Sequence, residues 1–294
     1  MSLRSAGGAG GLAADRLGGL AAREAPRLPT EVPIFPRLGN NRILMIVRSQ
    51  LARLRGRVWK CQLPKVFNLT QLDLRGVKFE ATNVAERQRI MGCGGELEYL
   101  RAMLAALRPD DILYDIGANV GLVALHAART CRTVAFEPDP AFRARLERNL
   151  QLNPGVSVEV LPVAIGDSEG TATLFTDGAE GNSPSLVHQR DEKGTVEVSV
   201  QTLDALVAGG ALPAPTVLKL DIEGAEVLAL RGAKHFLHGP MAPRALFLEV
   251  HDSFLPGFGS STDEVLELVR RAGYTRVYYE ADRGDQQHLI LERT

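Results

Sequence analysis

A chain of 294 residues is long enough for one large domain or one domain with an extension, and 45% hydrophobic with 23% charged residues is a globular composition. The net charge of −1 removes any global case for nucleic-acid binding, DNA included. Three cysteines, Cys61, Cys93 and Cys131, without C-x-x-C spacing argue for a reducing, cytoplasmic setting and against a metal cluster, and no run of 18 apolar residues is present to span a membrane.

Residues 1–31 are rich in Gly and Ala with scattered Arg, lack the apolar core of a secretory signal, and are expected to form a disordered tail. An N-terminal extension is expected over 32–95. Within it, 42–60 holds six basic residues, Arg42, Arg48, Arg53, Arg55, Arg57 and Lys60, and no acidic one, while Ile43, Ile46, Val47, Leu51, Leu54 and Val58 share a helical face. Such a basic amphipathic helix packs on its own domain with the charges in solvent, or contacts an anionic membrane surface or RNA. The bland outcome, packing, is the expectation here. Alternation of apolar and polar residues over 66–80, broken at Arg75-Gly76, predicts a β-hairpin. After a glycine-rich loop at 92–95 the main domain is expected over 96–294. It opens with a helix at 96–107 that carries Leu97, Leu100, Leu104 and Leu107 on one side and stops before Pro109.

Residues 112–116, ILYDI, are apolar enough for a buried parallel strand. The turn Gly117-Ala118-Asn119-Val120-Gly121 follows, then a helix with Leu122, Leu125 and Ala128 on one face, then a strand at 133–136 ending in Glu137. This is half of a nucleotide-binding βαβ unit. Gly117 permits the sharp turn, and N–H groups at the helix start can receive a polar or negative ligand group. Glu137 lies 20 residues after Gly117, the spacing of an acidic residue that accepts hydrogen bonds from a ribose diol. The pattern is not G-x-G-x-x-G, because position 119 is Asn, and Asp115 before the turn would repel a pyrophosphate. A carboxylate there suits a ligand with an amino group and no phosphate. S-adenosylmethionine fits: it joins an adenosine with a ribose diol to a cationic sulfonium and an amino acid.

Residues 141–150 read as a helix and 156–164 as a third strand, whose end at Ala164 should lie near the adenine. Segments 171–175 and 196–201 are strand-like, and the polar loop 177–193 between them is long enough for a lid or a plain surface loop. Residues 217–220 read as a buried strand that ends at Asp221. Lys219 inside it would cost free energy unless a carboxylate pairs with it. Asp221, Glu223 and Glu226 cluster at this strand's carboxyl end, where open α/β sheets place their ligands, although Glu226 is also explained as a helix start. Residues 245–250 form a further strand that delivers Glu249 and His251 to the same edge. A helix at 263–272 precedes two strands, 274–280 and 288–292, joined by a short turn and therefore antiparallel.

DIGANVG at 115–121, AFEPDP at 135–140, NLQLN at 149–153, TLDAL at 202–206, LKLDIEGAEVLALRGA at 218–233 and LEVH at 248–251 come in an order that resembles the FkbM family of S-adenosylmethionine-dependent methyltransferases. The resemblance covers roughly 96–251. It implies an α/β class I methyltransferase fold, a Rossmann-like sheet of seven strands with the last antiparallel, preceded here by the helical and β-hairpin extension. It also implies methyl transfer to a hydroxyl of a sugar or polyketide. By match, Asp115, Gly117, Asn119, Gly121 and Glu137 would hold the cofactor, with Asp221 at its border, and Asp221, Glu223 and His251 would face the acceptor.

Transfer from a sulfonium needs alignment, and a hydroxyl needs a base. A neutral His251, oriented by Glu249, is the expected base, with Asp221 orienting the acceptor or replacing it. Asp221 and Glu223 could bind Mg²⁺, but no third ligand is evident, so no metal site is expected. The expected partner is a small-molecule or glycan hydroxyl substrate. Rival readings are an N-methyltransferase, an RNA methyltransferase favoured only by 42–60, and a non-enzymatic cofactor-binding scaffold, against which Asp221 and His251 both count.

Overall fold

The computed structural model describes residues 63–73, 75–176, 185–186, 194–282 and 286–294. The tail at 1–31, the basic stretch at 42–60 and all but two residues of the loop at 177–193 lie outside the described residues.

The runs around Arg75-Gly76 form β1 (Lys65–Leu69) and β2 (Val77–Ala81), an antiparallel pair that buries Leu69, Val77, Phe79 and Ala81. In α1 (Val84–Gly92) the Asn83 side chain caps the first turn by accepting from the Glu86 N–H. α2 (Leu97–Ala106) buries Tyr99, Leu100 and Met103; the expected leucines Leu97, Leu100, Leu104 and Leu107 all reach the same core, Leu97 and Leu104 at its margin. Tyr99 can turn inward because its hydroxyl donates to the carbonyls of Leu248 (3.0 Å) and Leu289 (3.2 Å).

Next come β3 (Ile112–Ile116), α3 (Leu122–Ala127), β4 (Arg132–Phe136), α4 (Pro140–Gln151) and β5 (Val158–Leu161). The single strand expected over 156–164 is corrected here. Pro162 has no N–H for a ladder and ends β5 at Leu161. Val163–Ile165 is instead β6, which joins β7 (Gly170–Thr176) and β8 (Gly194–Gln201) in a separate sheet of order β6-β8-β7. The chain continues through α5 (Leu203–Gly209), β9 (Val217–Leu220), α6 (Glu226–Arg231), α7 (Lys234–His238), β10 (Ala245–His251), α8 (Thr262–Arg271), β11 (Tyr274–Asp282) and β12 (Gln286–Arg293). The Ser261 side chain caps α8.

The main sheet has seven strands in the order β11-β12-β10-β9-β3-β4-β5. β12 is antiparallel to both of its neighbours, and the pairs from β10 across to β5 are parallel. Alternate residues of one strand enter different cores: Tyr114 and Ile116 of β3 with Leu246 and Leu248 of β10 in one, Leu113 with Phe247 in the other. The second core also takes in the hairpin, α1 and α2. Strands buried on both faces need the largely apolar runs of β3, β9 and β10, which only Asp115, Lys219, Glu249 and His251 interrupt. Among the described residues no helix is long and apolar enough to cross a membrane.

Candidate active site

β3 and β9 end side by side in register, Ile116 opposite Leu220. Gly117 turns away at φ +81°, and a Cβ on it would overlap the carbonyl oxygen of Asp221, so only glycine fits between the two strand ends. The N–H groups of Gly117 and Ala118 both donate to the Phe136 carbonyl at 3.1 Å. The Asn119 N–H donates to Glu137 Oε2 at 2.7 Å, and the Val120 N–H to the Asn119 side chain at 2.9 Å. These bonds brace the turn against β4 and Glu137. Gly121, at φ +89°, packs on Leu125 and Leu146 and lines neither cleft described below.

Glu137 is 4% exposed, and its second oxygen accepts from the Asp139 N–H at 2.9 Å. Burial pushes its carboxyl up to about 7, opposed by the two backbone N–H bonds and assisted by the charges of Asp139 and Asp115. Each oxygen takes one backbone donor and keeps room for another, and the carboxyl lines a first cleft with Ile116, Pro138, Ala164 and Ile165. Ala164 reaches this cleft from β6, as a wall rather than as the tip of a main-sheet strand.

Lys219 stands directly opposite Asp115 in the β3–β9 ladder. Its Nζ lies 3.0 Å from Asp115 Oδ1 and donates to Asp221 Oδ2 at 3.2 Å. The carboxylate partner required for a buried lysine is present twice over. Burial opposes the lysine's charge, but these two carboxylates outweigh it and hold its pKa above the ordinary value. The ammonium that Asp115 meets in this structure is thus that of Lys219. Both residues line a second cleft, together with Asp221, Glu223, Glu249 and His251. The two clefts share Gly117, Asn119, Asp221 and Glu223. Burial and the Glu249 charge raise the Asp221 pKa, against Lys219 and His251. Glu223 sits in left-handed backbone at φ +54°.

His251 is 1% exposed and its Nδ1 lies 3.1 Å from Glu226 Oε1. Its Nε2 lies 3.3 Å from Glu249 and 3.5 Å from Glu223. Burial disfavours the imidazolium, but Glu226 and Glu249, followed by Glu223, push its pKa up to about 12. Three carboxylates around the ring thus favour its charged form over the neutral base expected from the sequence. Glu249 does orient His251, as two residues of one strand face require, and its other oxygen lies 3.5 Å from His288 Nε2. Burial raises the Glu249 carboxyl, yet the two histidines outweigh burial and hold it below its ordinary value. Glu226 also accepts from the N–H groups of Ile222 (3.1 Å) and Gly224 (3.2 Å), so it caps its own turn while reaching His251.

Sequence reasoning missed Arg89, Glu96 and Tyr99, which line the second cleft from the segment before β3, and His288, which pairs with Glu249 in the β10–β12 ladder and stacks on Tyr99 at 4.5 Å. The antiparallel final strand was readable; its register was not. Arg89 reaches the turn itself, donating to Asn119 Oδ1 at 3.3 Å.

The seven-stranded order with an antiparallel β12 and clefts at the carboxyl ends of the parallel strands is the class I methyltransferase fold. Residues 115–276 match the methyltransferase FkbM domain, and the chain belongs to that family of methyl-transferring enzymes. It is similar to the hexuronic acid methyltransferase AglP of Haloferax volcanii, with 30% identity over 174 residues, 59% of this chain and 70% of that protein. It is also similar to the 31-O-demethyl-FK506 methyltransferase FkbM of Streptomyces tacrolimicus, with 29% identity over 222 residues, 64% of this chain and 82% of that one. Among solved structures, an FkbM methyltransferase of Methylobacillus flagellatus aligns over 66% of this chain and 47% of that one, at 20% identity and a TM-score of 0.44.

Proposed function

We propose that this enzyme transfers the methyl group of S-adenosylmethionine to a hydroxyl of a sugar, a glycan or a polyketide-type natural product. The observation that carries the reading is the pair of adjoining clefts. One holds the buried Glu137 carboxyl, the other holds several carboxylates, and Asp221 and Glu223 border both. The spare acceptor capacity of Glu137 fits a ribose diol, and Ile165 and Ala164 offer apolar surface for the adenine. When bound, the cofactor supplies a methyl group on a cationic sulfonium. The names of the two relatives, one acting on a hexuronic acid and one forming a 31-O-methyl group, support a hydroxyl acceptor.

Asp221, tied to Lys219 through Oδ2, orients the acceptor hydroxyl at the junction of the clefts. Glu223, in strained backbone at that junction, takes the hydroxyl proton as the methyl arrives. His251 is not the base in this reading: it lies among Glu223, Glu226 and Glu249, whose charges it offsets in the ion-free protein. The test is mass spectrometry of products formed from a pool of glycans, polyketides and RNA with labelled cofactor. A labelled O-methyl product supports the reading; label on nitrogen, or only on RNA, moves the enzyme to another class.

A further inference from the structure

We infer that the second cleft holds a divalent transition-metal ion on Asp221, Glu249 and His251. One oxygen of each carboxylate and one ring nitrogen of His251 all lie within 4.8 Å of one another. That spacing lets one cation touch all three. The ligands come from rigid places: Asp221 from the end of β9, Glu249 and His251 from β10, which is buried along its whole length.

The second observation is the state of the imidazole. His251 Nε2 is fully buried, lies 3.3 Å from Glu249 and 3.5 Å from Glu223, and among the described residues makes no hydrogen bond of good geometry. Its Nδ1 is bonded to Glu226, which is fully buried as well. A carboxylate that fixes one ring nitrogen while the other points into a set of oxygen ligands is the outer arrangement found around metal-bound histidines. The ring is further fixed by Phe254, stacked at 5.8 Å.

One imidazole with two carboxylates suits Mn²⁺ or Zn²⁺ better than Mg²⁺ or Ca²⁺, which take oxygen ligands. Three protein ligands leave coordination positions open toward the cleft. Two adjacent hydroxyls of an acceptor would fill them, and the ion would ease loss of one proton to Glu223. This narrows the acceptor to a vicinal diol and rests on reading the cleft as the acceptor side; the ion binding itself does not.

The test titrates chelator-stripped full-length protein with Mn²⁺ alone and Zn²⁺ alone, in the absence of cofactor and acceptor, following bound metal by calorimetry and, for Mn²⁺, by loss of the free-ion electron paramagnetic resonance signal. One equivalent should bind. Glu249→Gln and His251→Ala should each weaken binding more than 100-fold, and Glu226→Gln, which touches only the ligand, by about 10- to 100-fold. Circular dichroism checks folding, and if His251→Ala does not fold, Glu249→Gln decides. Failure of the wild type to bind either ion, or undiminished binding by a folded Glu249→Gln protein, overturns the inference. Neither result bears on methyl transfer, which the product analysis tests separately.

Discussion

Asp115 and Lys219 face each other across the β3–β9 ladder and form a buried ion pair of 3.0 Å beneath the junction of the two clefts. The pair settles the charge of the sheet centre and places Asp221 through the lysine's second bond. Lys219→Ala would leave Asp115 fully buried and uncompensated, so unfolding stability should fall by about 3–5 kcal/mol. Urea denaturation measures this. Replacing both residues with apolar ones should recover most of the loss, and a single variant as stable as the wild type would remove the pair from the fold's support.

Gly117→Ala is expected to damage both fold and binding. It combines a positive φ with a direct overlap on the Asp221 carbonyl. The strained residue alone should cost on the order of 1–3 kcal/mol, and the forced separation of β3 and β9 should reduce cofactor affinity in calorimetry. Unchanged affinity would mean that the strand ends can part without disturbing the first cleft.

Glu137 makes a pH-dependent prediction. Its folded value of about 7 lies above the ordinary 4.5, so the folded state holds the proton more tightly than the unfolded chain. Its contribution to stability is present at low pH and is lost as pH rises through about 7. Diol hydroxyls donate to the ionised form, so S-adenosylmethionine affinity should rise between pH 6 and pH 8. Glu137→Ala should weaken binding by roughly 1.5–3 kcal/mol and Glu137→Gln should abolish the pH trend. A trend that survives in Glu137→Gln belongs to another group.

For the acceptor side, Glu223→Gln should lower kcat by about 10²- to 10⁴-fold, the usual contribution of a general base, with cofactor affinity nearly unchanged. If Asp221→Asn shows that loss and Glu223→Gln does not, the proton goes to Asp221 instead.

His251→Ala removes the cation from among Glu223, Glu226 and Glu249. In metal-free buffer it should lose about 3–5 kcal/mol of stability, the cost of leaving buried charge unpaired. Urea unfolding with a loss below about 1 kcal/mol would show that the carboxylates accommodate the change, for example by taking up protons.

Local signals carried much of this site. The turn at 117–121, Glu137 behind it and the need of Lys219 for a carboxylate all follow from residues near one another in sequence or from the cost of one buried charge. The shared face of Glu249 and His251 follows from strand period. The protonation of His251 did not, because the bond that does most to set it comes from Glu226, 25 residues earlier on another element. Ala164 was placed beside the cleft for the wrong structural reason, since the stop that Pro162 imposes sends its strand into a second sheet. Tyr99 and His288 stayed hidden because only the register of β12 against β10 brings them to Glu249.

The hydroxyl of Tyr99 donates to Leu248 and Leu289, two residues paired across the seam between β10 and β12. A helix that precedes the first core strand is thereby fastened to the last strand of the chain. The consequence is a closed mechanical circuit: β12, held between β10 and β11, cannot separate from β10 without breaking a buried bond to α2. Proteases and pulling forces should therefore meet one cooperative unit there, with the Leu289 amide among the slowest to exchange its hydrogen.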